Sequence, residues 1–178
     1  MKLPLATQVV ARSLSNSINK VTTVIGQTSA WFVVGLIALT LFDVMMRYIF
    51  HAGSVALQEL EWHLFGLIIL MGASFTLQQG NHIRVDLIYS SAWMSERSRR
   101  WIDIAGTVFF LLPFCALIIW TSVPFAYDAY MHQEISPDPG GLGHRWILKA
   151  TIPLGFALLA LQGIAETLAN LYALSDDD

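Results

Sequence analysis

Charge is scarce in this chain. Lys, Arg, Asp and Glu supply only 13% of its 178 residues, where an ordinary soluble domain carries about 25%. Cysteine is scarcer still: Cys115 stands alone in an apolar run, which excludes an intrachain disulfide framework and any cysteine-rich metal centre. It reads as a small buried hydrophobe. Ten Lys and Arg against thirteen Asp and Glu leave no basic surface for nucleic acid. Gly140-Gly141 lacks the strand, Lys and Ser/Thr that a nucleotide loop requires. No catalytic constellation stands out, so the expectation is a protein that is not an enzyme and holds no cofactor of its own.

Hydrophobicity is what the chain has, at 55% of residues. A bilayer core needs about 20 apolar residues as helix, each rising about 1.5 Å. Four stretches meet that length, roughly 24–49, 62–78, 102–127 and 147–171. They predict an all-α membrane protein, a single integral domain over 1–178, with no soluble domain. The N-terminal stretch is a poor signal peptide, being short, interrupted by Pro4 and followed by polar residues from Arg12 to Lys20. Val10, Leu14, Ile18, Val21 and Ile25 recur at helical spacing and predict an interfacial helix leading into the first span. Lys2, Arg12, Lys20, Arg84, Arg97, Arg99 and Arg100 fall on one side of this plan, and Arg47, Arg145 and Lys149 on the other. The excess of cations places both termini in the cytoplasm.

Polar residues inside or beside the spans are the candidate sites. Asp43 and Arg47, four apart at the end of the first span, share a helix face and can pair. An isolated acid in mid-bilayer costs about 2.5–3.5 kcal/mol, so a structural ion pair is favoured over an ion or proton site. Glu59 and Glu61 open the second span. They suit a solvated helix start favoured by the macrodipole, or a partner surface, and either could reach Arg47. Gly66, Gly72, Ala73 and Ser74 keep parts of the second span thin, which lets helices approach in lipid. Gln162 and Glu166, four apart near the end of the fourth span, could hold a neighbouring helix or reach the headgroups. The connection from His132 to Trp146 contains Pro137-Asp138-Pro139-Gly140-Gly141 and cannot be a regular element. It forms an exposed, shaped loop on the outer face.

The segment after the second span is the most distinctive. Gly80 is placed to end the helix in a left-handed cap, and His82, Arg84 and Asp86 then alternate with Ile83, Val85 and Leu87. The pattern predicts an interfacial amphipathic arm helix over about 82–95, with Trp93, Arg97, Arg99 and Arg100 at the lipid interface, gripping membrane phospholipids. A metal site from His82 and Asp86 lacks a third ligand.

The chain here resembles the small membrane subunit, of DctQ type, of tripartite ATP-independent periplasmic (TRAP) transporters. The resemblance rests on Asp43-Val44 with Arg47-Tyr48, Glu61, Gly72-Ala73, the string from Gly80 through His82-Ile83-Arg84-Val85-Asp86, and Gln162 with Glu166. It implies a bacterial inner-membrane scaffold that braces a large transport subunit and helps dock a periplasmic solute-binding protein. It further implies uptake of an organic acid, with sodium as coupling ion bound in the large subunit. Two rivals are weaker. A four-helix membrane haem protein needs paired core histidines, and of His63 and His132 only the first lies in a span. A stand-alone small multidrug carrier needs an unpaired buried acid, and Asp43 has Arg47 beside it.

Overall fold

A computed structural model describes residues 5–80 and 94–176, with side chains from Ala11 to Gly80 and from Met94 to Ser175. It is all-helical over the described residues. Helix α1 runs Leu5–Tyr48 and α2 Val55–Gln78. Helix α3, Glu96–Gly106, passes through a π-helical turn at Thr107–Leu111 into α4, Leu112–Met131. Helix α5 covers Trp146–Asp176. The four spans expected from hydropathy are therefore four long helices, each apolar enough to cross a membrane, in a multi-pass membrane protein.

Their boundaries correct the sequence expectations. The N-terminal interfacial helix and the first span are one unbroken 44-residue helix, about 66 Å long at 1.5 Å per residue. Arg97, Arg99 and Arg100 do not belong to a separate arm. They occupy the first turns of a 36-residue helix, Glu96–Met131, that continues into the third span. Ser95 caps it, its hydroxyl accepting the Ser98 N–H at 3.2 Å. The arm expected over 82–95, with His82, Arg84, Asp86 and Trp93, lies outside the described residues up to Trp93; Met94 and Ser95 are not helical. Gly80 takes φ +67 and donates its N–H to the Leu77 carbonyl at 3.0 Å, the left-handed cap that its position predicted.

Helix α5 is the hub of the packing. It contacts α1, α2, α3, the π turn and α4, and α1 also packs on α2. Helices α1 and α4 both pack on α5 and do not pack substantially on each other. The result is an open raft, not a closed bundle. Only 11% of the most apolar window is buried in each of the first three spans, and 17% in α5.

Burial is inverted relative to a water-soluble protein. The covered positions of α1 are Ala11, Ser15, Thr22, Gly26, Ser29 and Asp43, while Trp31, Ile37, Leu41 and Met45 are exposed. Leu14 and Val21, which the periodicity placed on the apolar face of an interfacial helix, are 49% and 51% exposed, as a lipid-facing stripe would be. The physical reason is the solvent. Lipid tails are as apolar as leucine, so burying leucine against a helix gains little, and small or hydrogen-bonding residues take the contact instead.

Candidate functional site

Two polar constructions stand at opposite ends of the raft. At one end, Glu59 sits on the first turns of α2 and is only 4% exposed. One of its carboxylate oxygens accepts the Ser136 hydroxyl, and the other accepts the Leu142 N–H at 2.6 Å. Both donors belong to the loop 132–145. Glu59 is therefore neither a solvated helix start nor a partner of Arg47, two of the three roles its sequence position suggested, the third being a partner surface. It latches the loop to α2.

The loop is built to receive it. Ser136 donates its N–H to the Leu142 carbonyl at 3.0 Å, and Gly141 donates to the Asp138 carbonyl at 3.0 Å. The Asp138 N–H returns to the Ser136 hydroxyl at 3.1 Å. Gly140 adopts φ +80, a conformation that favours glycine. At Gly141 the constraint is space: a Cβ there would collide with the Ser136 side chain and stand 2.8 Å from Glu59 Oε2. Around this core, Lys149 pairs with Glu134 and lies 3.9 Å from the Phe125 ring centre. Arg145 stands over Trp62 at 5.6 Å, and Tyr130 meets Trp146 edge-on at 5.2 Å. The loop is thus tied to α2, α4 and α5 together, and its exposed rim, with Pro137, Asp138 and Gly140, is held in a fixed shape.

Asp43 and Arg47 pair near the C-terminal end of α1. Asp43 is 2% exposed, and its Oδ1 has no hydrogen-bond partner among the described residues. Arg47 is what neutralises this buried carboxylate. Arg47→Ala is expected to lower the yield of assembled complex several-fold while leaving substrate affinity unchanged, because a buried charge stripped of its partner costs about 3–5 kcal/mol. Asp43→Asn added to Arg47→Ala should restore much of the yield. Normal yield with altered sodium dependence would instead make Asp43 an ion site. Glu61 is half-buried and contributes nothing to the latch.

At the opposite end an amide seam joins three helices. Gln162, 1% exposed on α5, donates its Nε2–H to Asn19 Oδ1 on α1 at 3.0 Å. Gln78 of α2 donates to the Asn19 carbonyl at 3.0 Å and exchanges a hydrogen bond with the Thr23 hydroxyl at 3.1 Å. Ser15 donates to the Ala165 carbonyl at 3.3 Å. Of the two roles open to Gln162, the structure shows the helix-holding one; Glu166, one turn on, is half-buried and engaged. Asn19, Thr23 and Gln78 do not stand out in the sequence. The i, i+4 spacing of Asn19 and Thr23 is the available signal.

The histidines do not converge. His63 Nδ1 lies 2.6 Å from the Glu59 carbonyl of its own helix, and His132 Nδ1 lies 2.9 Å from that of Asp128. Among the described residues no group of three or more His, Cys, Asp or Glu could hold a metal ion. Arg97 is exposed, Arg99 stands 3.8 Å from Glu96, and both are engaged, as is Arg100.

Among protein families, the model for the DctQ component of tripartite ATP-independent periplasmic transporters matches residues 36–172. The match takes in Asp43, Arg47, the Glu59 latch and Gln162, and begins beyond Asn19 and Thr23. No curated protein matches the chain.

Proposed function

The chain belongs to the DctQ component family of tripartite ATP-independent periplasmic transporters, and from that membership we propose that it braces the large membrane subunit and helps dock the periplasmic binding protein. In this reading the small subunit moves no solute itself. The large subunit binds sodium and an organic acid, and both termini of the present chain face the cytoplasm of a bacterial cell. The observation that carries the docking role is the Glu59 latch. A surface that a soluble partner must find repeatedly gains from being held in one shape before contact, since ordering it on binding would weaken affinity. The loop of residues 132–145 is held in that way by a buried carboxylate and two donors.

Glu59→Gln tests this with little change of volume. The amide keeps one acceptor and loses the charge that strengthens both bonds, each worth about 1.5–3 kcal/mol. The complex should assemble, and the binding-protein concentration giving half-maximal uptake should rise about tenfold, with the maximal rate little changed. An unchanged concentration dependence, with the loop shown to be loosened by faster hydrogen exchange at Leu142, would remove the loop from docking.

A further inference from the structure

Helices α3 and α4 form one long helix whose ladder of backbone hydrogen bonds is broken twice on the same side. The first break is the π-helical turn at Thr107–Leu111. The Leu112 N–H that follows it donates to the Thr107 carbonyl, five positions back, and residue 113 is proline, which has no N–H. The Val108 carbonyl is thereby left without the α-helical donor, four positions on, and without the π-helical one, five positions on. The second break is Pro124 inside α4, which withholds the donor due to the Trp120 carbonyl. The nearest hydroxyls do not repair it. Thr121 donates to the Leu117 carbonyl at 3.0 Å and Ser122 to that of Ile118 at 2.6 Å, each a turn earlier.

Two bare carbonyls matter because of where they sit. Both lie inside the apolar run 102–127 that the sequence assigns to the third span, and lipid tails offer no donor. A helical carbonyl points along the axis toward the residue that should donate to it, so these two emerge beside Pro113 and Pro124. That face is uncovered. Phe109, Pro113, Leu117, Trp120 and Pro124 follow one another at steps of four, four, three and four, which puts them on one side of the helix. Phe109, Leu117 and Trp120 are 73%, 58% and 80% exposed, and both prolines are exposed as well. Helix α5 seats the π turn from the other side, where a Cβ on Gly163 would stand 2.9 Å from Leu111 Cδ2 and 3.0 Å from Thr107 Cγ2.

We propose that this face seats a helix of the large membrane subunit whose side-chain hydroxyl or amide groups donate to the Val108 and Trp120 carbonyls. The placement rests on the reading of the chain as a brace, and of the partners in that reading the large subunit is the one that lies in the membrane. Two acceptors about 18 Å apart along the axis call for two donors about twelve residues apart on a helix running alongside. The Phe109 and Trp120 rings supply the apolar contact around them.

The sequence holds one Val-Phe pair, Val108-Phe109, and one Trp-Thr pair, Trp120-Thr121. Carbonyl-labelled valine with nitrogen-labelled phenylalanine therefore isolates the Val108 carbonyl in a nuclear magnetic resonance spectrum of the full chain, and labelled tryptophan with labelled threonine isolates that of Trp120. On binding unlabelled large subunit both signals should move downfield, the direction in which a carbonyl carbon shifts when its oxygen accepts a hydrogen bond. Pro113→Ala favours the helix and returns the missing donor to it, so the partner finds its acceptor already taken. Retention of the large subunit should fall about three- to tenfold, the worth of an interhelical hydrogen bond in lipid. Either signal staying in place with the large subunit bound would overturn the placement and leave the brace intact, which is also the outcome if water or a second copy already supplies the donors. Unchanged retention in Pro113→Ala would overturn it as well. A chain that binds no large subunit would defeat the brace and the placement together.

Discussion

Proteoliposomes holding the large membrane subunit alone, supplied with loaded binding protein and a sodium gradient, are expected to show no uptake above background, and adding this chain should restore it. The expectation follows from how little of itself the chain covers. Along the spans Trp31, Phe109, Phe110 and Trp120 are 73–80% exposed, and only 11% of the apolar window in each of the first three spans is fully buried. A four-helix protein that worked alone could bury far more by closing into a bundle around one core. Here α1 and α4 both pack on α5 without packing substantially on each other, which leaves the assembly of helices open. A broad raft is what a moving neighbour needs as a brace, and in the proposed reading the large subunit would lose that brace together with the loop offered to the binding protein. Full uptake by the large subunit and binding protein without this chain would defeat the scaffold role outright. Intact assembly with lost uptake in Glu59→Gln would instead point to docking as the more demanding of the two duties.

The four spans were legible because length and charge depletion alone decide them: a lone segment satisfies its own backbone in lipid only as a helix, and uninterrupted apolar runs of about 20 residues are too long for barrel strands. Gly80 was legible for a similar local reason, since a helix end followed by polar alternation calls for a left-handed cap. The contact face of α1 was not. The stripe through Leu14 and Val21 points outward, as an interfacial helix predicts, but nothing in the pattern picked Ser15, Thr22 and Ser29 as the packed positions. Glu59 is unusual in the sequence but reads as solvated, because its partners, the Ser136 hydroxyl and the Leu142 N–H, lie about eighty positions away. No periodicity encodes that separation. The Pro137–Gly141 string announces a shaped loop without saying what it is shaped around. Gly141 answers that, since its missing Cβ is the space that Ser136 and Glu59 occupy.

Gly155→Val is expected to abolish recovery of the folded chain, the largest loss foreseen for any single substitution outside the latch. In lipid, close backbone approach replaces hydrophobic burial as a source of helix association, so the decisive question is which glycines are in contact. Sequence pointed to α2, at Gly66 and Gly72. A Cβ at Gly66 would meet only the end of Leu148 at 3.5 Å, and one at Gly72 would meet nothing within 4 Å. Gly26 of α1 packs on the Phe75 side chain of α2, but the close approach to backbone lies on the facing helix α5. A Cβ at Gly155 of α5 would stand 2.8 Å from the Leu70 carbonyl oxygen and 3.2 Å from its carbonyl carbon. Those are backbone atoms of α2, which no rotamer change can move aside. Even Gly155→Ala should cost about 1–3 kcal/mol through overpacking, and the two further methyls of valine force α2 and α5 apart. Separation there would strain the Gln162–Asn19 and Gln78–Asn19 bonds, since both helices reach α1 through the same residue. Gly72→Ala is the matched control: the same added methyl, on a span of the same raft, should leave the melting temperature of the purified chain unchanged. If Gly155→Val melts with the wild type, the α2–α5 seam is not what holds the raft together. If Gly72→Ala instead lowers only the yield of complex with the large subunit, the open face of α2 is where that subunit packs.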